Sequence, residues 1–494
     1  MSAADSLQKA LDAALAHPID RYIRRLRRQG PKIVRDPLWG FLRLEPYEVA
    51  LIDSPPFQRL RNIFQTSLAL YTYPCAVHSR FEHSLGVAHL AKRTLEAVQS
   101  RGHILDPVMS LETKIAALLH DLGHGPFSHS SEVFYGRLPC FDAIRTEQPE
   151  LFAEASPSEI LTYLLITSKA FGHLWAAICD LYSGACAELR KADLGRLAST
   201  IVGSDSVVPR DKRFYRQIVN GAFDADKLDY LARDGYFTGL QIALDVERLL
   251  HTVKVVVLEA VCELGVVLSG ASILEQVLFG KTQLFVTLYH HHKVRAAHRT
   301  LLRLLETMER DGYRPAGRSL GDPVSYVLLD DYDLLCEPSA GASDDVRSCV
   351  KAIKERDLPR RALVLSPQCF ADDVSRLRFG NLEEPDIVEI EGEMAAYLGN
   401  RSGWVMLDVP ESPRLQQAGQ ALVELGGDRV VPMAEVFPAA AWSAAYQAYR
   451  RVAYVFAWGQ DPSVVARAAA DVLAGRGVKL APHAWHLAKL EAPN

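Results

Sequence analysis

Ala116-Ala-Leu-Leu-His-Asp-Leu-Gly-His-Gly-Pro-Phe-Ser-His129 is the stretch on which the reading of this chain turns. It begins as the end of an apolar helix, with Ile115, Leu118, Leu119 and Leu122 at helical spacing, and Gly123, Gly125 and Pro126 stop that helix. His120 and Asp121 are adjacent where it stops. His124 follows His120 by about one turn, so one face presents both rings. A buried His-Asp pair needs partners for its charge, and metal coordination supplies them. A structural ion network would satisfy the same groups, and spacing alone leaves both readings open.

Upstream, His78-Ser-Arg-Phe-Glu-His83-Ser-Leu-Gly opens a second helix. Downstream, Phe223-Asp-Ala-Asp-Lys-Leu-Asp-Tyr-Leu-Ala-Arg-Asp234 sets six charged groups of both signs along an apolar helical stripe. Two imidazoles and two carboxylates from three helices would make a divalent transition-metal site with positions left for water and substrate, an arrangement suited to hydrolysis. Histidine usage points to the same region: of 16 histidines, His78, His83, His89, His103, His120, His124 and His129 fall between residues 78 and 129.

Across 494 residues, 49% hydrophobic and 23% charged content excludes a disordered or fibrous chain, and a net charge of -5 excludes an overall cationic sleeve for nucleic acid, though not a local basic groove. The eight cysteines form no CxxC and no disulfide framework. With no secretory apolar segment and no window of about 18 apolar residues, a soluble cytoplasmic protein is expected, with no membrane partner. Five arginines in Arg21–Arg28 follow an Ala/Leu-rich helix, so residues 1–31 read as a basic helical arm whose charges form a solvated face or touch nucleotide phosphates.

Apolar residues at helical spacing dominate 85–135, 158–200 and 273–309, and Val253–Leu268 reads as one β-hairpin inserted in a helical core. Beyond Asp311-Gly312 the texture shifts to polar Gly-rich loops and short strands such as Ala362–Leu365 and Val405–Leu407, with a closing helix at Val464–Leu473. The fold expected is mainly α: a helical core over 32–318 with the hairpin insertion, then a C-terminal α+β lobe over 319–494 serving oligomerisation or regulation.

The order His83, His120-Asp121, Asp226 resembles the signature of the HD-domain metal-dependent phosphohydrolases. The longer phrases Asp53-Ser-Pro-Pro-Phe-Gln-Arg-Leu-Arg61, Ser79-Arg-Phe-Glu-His-Ser-Leu-Gly-Val87, the 120–129 stretch and Asp224-Ala-Asp-Lys-Leu-Asp-Tyr230 resemble the branch of the SAM-and-HD-domain deoxynucleoside triphosphate triphosphohydrolases and their bacterial relatives. The resemblance runs from about residue 32 to 310, with a weaker echo at Val405–Pro410. It implies His83, His120, Asp121 and Asp226 as ligands of one divalent metal (Mn, Fe, Co, Ni or Zn), with Mg at the phosphates as a further candidate ion. It implies His124 and His129 as catalytic groups with Glu132 as acidic partner. Arg80, Lys227 and Tyr230 would face the phosphates, and Gln65, Asp234 and His290 the sugar. The implied reaction is attack of a metal-activated water on the α-phosphorus, releasing nucleoside and inorganic triphosphate. Lys32, Asp53, Gln58 and Arg61 match positions that bind an activating nucleotide between subunits of a homo-oligomer, a dimer or tetramer.

Three departures concern substrate and regulation. Glu154 stands where the pattern carries a further catalytic histidine. In Tyr289-His-His-His-Lys293, His290 replaces a sugar-stacking tyrosine, and Thr66 replaces an apolar neighbour of Gln65, so hydrogen bonding to a ribose hydroxyl is compatible with this chain. Trp39, in Asp36-Pro-Leu-Trp-Gly40, stands where the branch usually has histidine. Two rivals remain at this stage: an HD-type phosphodiesterase or nuclease, and a nucleotide-sensing or nucleic-acid-binding scaffold with a decayed site.

Overall fold

Capping chemistry and apolar spacing set the helices that carry the site. The computed structural model describes residues 2–339, 341–399, 405–410, 419–427, 429–450 and 452–487. Helix α1 (Ala3–Arg25) starts with a capping box in which Ser2 Oγ accepts from Asp5 N–H and Ser2 N–H donates to the Asp5 carboxylate. Its buried Leu7, Leu11, Leu15 and Ile19 recur every four residues and pack on the helices Pro157–Ile166 and Lys169–Tyr182. Arg21, Arg24, Arg25, Arg27 and Arg28 stay exposed. The expected basic arm is therefore a docked helix with a solvated cationic face. Because Leu11 is fully buried, Leu11→Ala is expected to lower unfolding free energy by about 2–5 kcal/mol in chemical denaturation; a loss well under about 1 kcal/mol would mean the arm is not part of the folded unit.

A hairpin of β1 (Lys32–Asp36) and β2 (Gly40–Leu44) follows, paired antiparallel from Lys32↔Leu44 to Asp36↔Gly40. Then come the three helices of the site. Helix α2 (Arg80–Ser100) is capped by Ser79 and Glu82, α3 (Pro107–Leu119) by Asp106, which accepts from Val108 and Met109 N–H, and α5 (Ala225–Thr238) by Asp224. Between α3 and α5 the short helix α4 (His129–Tyr135) leaves a turn in which Phe127 and Ser128 adopt positive φ. At Gly123 an added Cβ would lie 2.2 Å from the Ser158 carbonyl, so the turn needs glycine to approach the helix that follows Ser156.

The hairpin β3 (Val253–Leu258) and β4 (Val261–Val267) forms as expected, but it is not isolated. β4 pairs parallel with Leu422–Gly426, which pairs antiparallel with Arg429–Pro432, making a four-stranded sheet. An apolar edge left open on β4 would invite association, and the later strand covers it. The stretch 273–309 is also interrupted: Ala271–Leu284 is α-helical, Phe285–Tyr289 is a π-turn, and helix resumes at His292.

Two packing units result, each drawn from three stretches. One comprises Met1–Leu284, Met308–Glu337 and Leu415–Ala439; the other comprises Phe285–Thr307, Pro338–Arg414 and Ala440–Asn494. The segments 32–318 and 319–494 follow changes of sequence texture, whereas these units follow contacts that rejoin distant stretches. The second unit holds a three-stranded antiparallel sheet with Ala453–Ala457 between Arg360–Leu365 and Val405–Asp408. Its core gathers Leu363, Val455, Ile390, Val465 and Trp485, and Arg295 grips Asp408 through two hydrogen bonds of 2.7 and 2.8 Å. The mainly helical class with a C-terminal α/β region stands. Among the described residues no helix is long and apolar enough to cross a membrane.

Candidate metal centre and active site

Three helix ends converge. His83 in the first turn of α2, His120 just past α3 and Asp226 in the first turn of α5 bring their ligand atoms within 4.8 Å of one another. His83 Nε2 lies 3.0 Å and His120 Nε2 3.8 Å from Asp226 Oδ1, while Asp121 stands beside them, 3.7 Å from His83 Nε2 and 3.3 Å from His120 Nε2. His83 Nδ1 meets Asp229 Oδ2 at 2.8 Å and His120 Nδ1 meets the Ala117 carbonyl at 2.9 Å. Those partners assign the ring protons to Nδ1 and aim both Nε2 lone pairs into the cluster.

Neither Nε2 makes a well-formed hydrogen bond among the described residues, although both are buried. Two inward-facing imidazole nitrogens beside two carboxylates fit a divalent cation. Burial opposes a charged His83 ring, but Asp226 and Asp229 outweigh it and push its pKa up to about 10. The site thus attracts positive charge, and a proton and a metal would compete for it. Asp226, with 35% of its side chain exposed, forms the open side.

The support behind His83 was not read from sequence. Asp229 accepts from Arg233 Nε at 2.7 Å, Arg233 Nη2 at 3.0 Å and Trp39 Nε1 at 2.5 Å, and Arg233 pairs with Asp36 at 2.9 Å. Asp229 and Arg233 are wholly buried. Gly86 permits this packing, since a Cβ there would come within 1.9 Å of Asp229 Oδ1. The available signal was Asp229 three residues after Asp226 and Trp39 within Asp36–Gly40. The tryptophan that departs from the family pattern buttresses the carboxylate behind a metal-facing histidine.

On the other side of Asp121, His124 Nε2 lies 3.3 Å from Asp121 Oδ1, and the His124 and His129 rings stand perpendicular with centroids 4.9 Å apart. His129 Nδ1 meets Glu132 Oε2 at 2.7 Å, and Glu132 Oε1 accepts from Ser158 N–H at 2.9 Å. Burial and the nearby Arg80 guanidinium hold His124 well below its ordinary pKa, so it is neutral. Burial works against ionised Glu132, but the His129 hydrogen bond prevails and keeps it a carboxylate. His129 is 74% exposed at its side chain. Arg80, almost fully buried, donates to Asp121 at 2.6 Å and to Ser128 Oγ at 2.9 Å, leaving Nη2 without a hydrogen-bond acceptor among the described residues.

Gln65 donates its backbone N–H to the His78 carbonyl, and its side-chain oxygen is buried without a hydrogen-bond donor among the described residues. His78 Nε2 meets Asp234 Oδ1 at 2.8 Å and its ring stacks on Phe237, so a histidine given no role by sequence connects two residues expected at the sugar. Lys227 is held by Asp224 at 2.6 Å and the Gly221 carbonyl at 3.0 Å, turned to its own helix cap. Burial pushes the Tyr230 phenol well above its ordinary pKa, so it is an O–H donor. Thr66 is buried, and Glu154 is exposed. His290 belongs to the second unit, where its carbonyl accepts from Tyr454 and its ring meets Phe285 edge-on. Lys32 pairs with Asp53 at 3.3 Å, and Arg61 donates to Gln58 at 2.9 Å while lying over the Phe81 ring.

Comparison with known proteins places the chain among relatives. The HD domain model matches residues 80–234, and the HD associated region model matches residues 244–478. The chain is 27% identical over 391 residues to the deoxynucleoside triphosphate triphosphohydrolase SAMHD1 homolog of Dictyostelium discoideum, spanning 73% of this chain and 68% of that protein. It is 26% identical over 414 residues to an uncharacterized protein of Methanocaldococcus jannaschii, spanning 82% and 75%. It is 33% identical over 239 residues to human deoxynucleoside triphosphate triphosphohydrolase SAMHD1, spanning 45% of this chain and 36% of the human protein. With its two inward-facing histidines, its paired carboxylates and both consecutive family regions in place, the chain belongs to the HD-domain phosphohydrolases and is an enzyme of that family.

Proposed function

We propose that this enzyme hydrolyses deoxynucleoside triphosphates to nucleoside and inorganic triphosphate. The observation that carries the reading is the apposition of two chemically distinct clusters on either side of Asp121: the metal-fitting His83, His120, Asp226 group and the proton-handling His124, His129, Glu132 group. His83, His120, Asp121 and Asp226 would hold the ion. A divalent cation bound there neutralises phosphate charge and makes water a better nucleophile.

The chain's own residues supply the rest. Arg80 is fixed by Asp121 and Ser128 and has a donor to spare for a phosphate oxygen. Glu132 binds His129 at Nδ1, which orients the ring and leaves Nε2 to face a departing sugar oxygen and deliver a proton to it. Neutral His124 adds no positive charge beside that ring. Tyr230 offers a phenolic O–H, and Lys227 would have to leave Asp224 to reach a phosphate. Gln65 and Asp234 are proposed at the sugar, and Lys32, Asp53, Gln58 and Arg61 at an activating nucleotide within a homo-oligomer. The similarity to SAMHD1 proteins supports the substrate class.

The test is inorganic triphosphate release from a panel of deoxy- and ribonucleotides with Mn, alongside a labelled single strand. Triphosphate release from free nucleotides is expected; shortening of the strand with no triphosphate would favour the phosphodiesterase reading. His129→Ala is expected to lower kcat by roughly 10²–10⁴-fold with bound metal unchanged. Wild-type kcat in that variant would remove His129 from the mechanism.

A further inference from the structure

The loop that carries the proton-handling group is held from a distance of some 200 residues. Asp331 opens a short helix, Asp331–Leu335, and is 2% exposed. Its two carboxylate oxygens accept from two backbone donors on different strands of chain: Oδ2 from Phe64 N–H at 2.8 Å and Oδ1 from Phe127 N–H. Phe127 and Ser128 both have φ near +55°, a conformation that non-glycine residues adopt only when their surroundings enforce it. The enforcement is visible. Ser128 Oγ donates to the Phe64 carbonyl at 2.6 Å and accepts from Arg80 Nε at 2.9 Å, so Asp331, Phe64, Ser128 and Arg80 form one closed set of bonds. Arg59 closes the other end: it donates to the Leu122 and His124 carbonyls and to those of Tyr326 and Leu329.

We propose that Asp331 is a positioning residue for the reaction: its carboxylate fixes the left-handed pair Phe127–Ser128, which places Ser128 under Arg80 and sets where helix α4 begins with His129. The residue lies outside the stretch 80–234 matched by the HD domain and inside the associated region. That region therefore completes the catalytic loop. Burial pushes the Asp331 carboxyl up to about 7, opposed by the two N–H donors and by Arg59. A buried carboxylate held at such cost, where a neutral side chain would avoid it, matches a role in which two N–H acceptors are needed together. The consequence for turnover rests on the reading of Arg80 and His129 given above; the effect on the loop does not.

The test compares full-length wild type, Asp331→Asn, Asp331→Glu and Asp330→Asn at pH 8. Asparagine leaves one of the two N–H groups facing an amide donor. Glutamate keeps both acceptors but lengthens the arm. Asp330 caps the same helix and binds Asn62 without touching the loop. Both Asp331 variants are expected to lose kcat roughly tenfold or more with KM and bound Mn near wild type, and to exchange backbone amide hydrogens faster across 122–129; Asp330→Asn should do neither. Wild-type kcat with unchanged exchange overturns the inference, and so does a fall in kcat without faster exchange there. Should Asp331→Asn fail to fold, Asp331→Glu decides alone. If wild type releases no triphosphate, the proposed reaction fails, and exchange across 122–129 judges the clamp by itself.

Discussion

Asp226→Ala is expected to leave a folded protein that no longer retains a divalent metal and no longer hydrolyses its substrate. Asp226 sits on the open side of the cluster, facing both inward-pointing imidazole nitrogens, and it starts α5 in a turn whose cap, Asp224, is untouched by the change. Removing it subtracts one negative charge and one ligand from a site whose attraction for cations is already visible in the raised pKa of His83. Losing a partner merely behind a metal ligand costs about 10–100-fold in affinity or activity, so losing the ligand itself is expected to exceed that. The partly exposed carboxylate carries little packing, so the metal-free variant should still unfold cooperatively, its melting temperature lowered by the lost attraction between Asp226 and a protonated His83. Elemental analysis after dialysis, followed by turnover with added Mn, measures both effects. Stoichiometric metal in Asp226→Ala would exclude this cluster as the centre.

The parts of this site that could be read in the sequence are those whose chemistry is local. A helix stopped by glycines immediately after His-Asp, a capped helix start carrying His83 and a charged helix with Asp226 each announce themselves within a dozen residues, and the structure brings all three together. What could not be read depends on contacts across long separations. Asp229 looks like one more charge on a helical stripe until Arg233, Trp39 and Gly86 are seen around it. His78 has no role until it meets Asp234, 156 residues away. Leu422–Gly426 falls in the stretch expected as a separate C-terminal lobe, yet it extends the sheet begun by Val253–Leu258 because β4 presents an unpaired edge. The π-turn at Phe285–Tyr289 lies where helical spacing runs on unbroken, since spacing reports which face is apolar and not which carbonyl each N–H meets.

Arg233→Met should produce the largest loss of stability among single changes near the site, and a loss of metal affinity that can be separated from it. The guanidinium is wholly buried between Asp229 and Asp36, and methionine removes its charge while filling much of its volume. Two carboxylates are then left buried without their cation, a situation that costs about 3–5 kcal/mol. Asp229 also holds His83 Nδ1, so a displaced or protonated Asp229 no longer fixes the tautomer that aims Nε2 at the metal; affinity should fall by about 10–100-fold. Adding Asp229→Asn to Arg233→Met removes one stranded charge. The double variant is expected to regain part of the stability while its metal affinity stays low, because an amide is a poorer acceptor for the His83 ring proton and adds no charge behind it. Chemical denaturation without metal and Mn titration of each variant give the two quantities. Full recovery of affinity in the double variant would show that Arg233 acts on the metal centre only through folding, and that the buried chain from Asp36 to His83 does not orient the ligand.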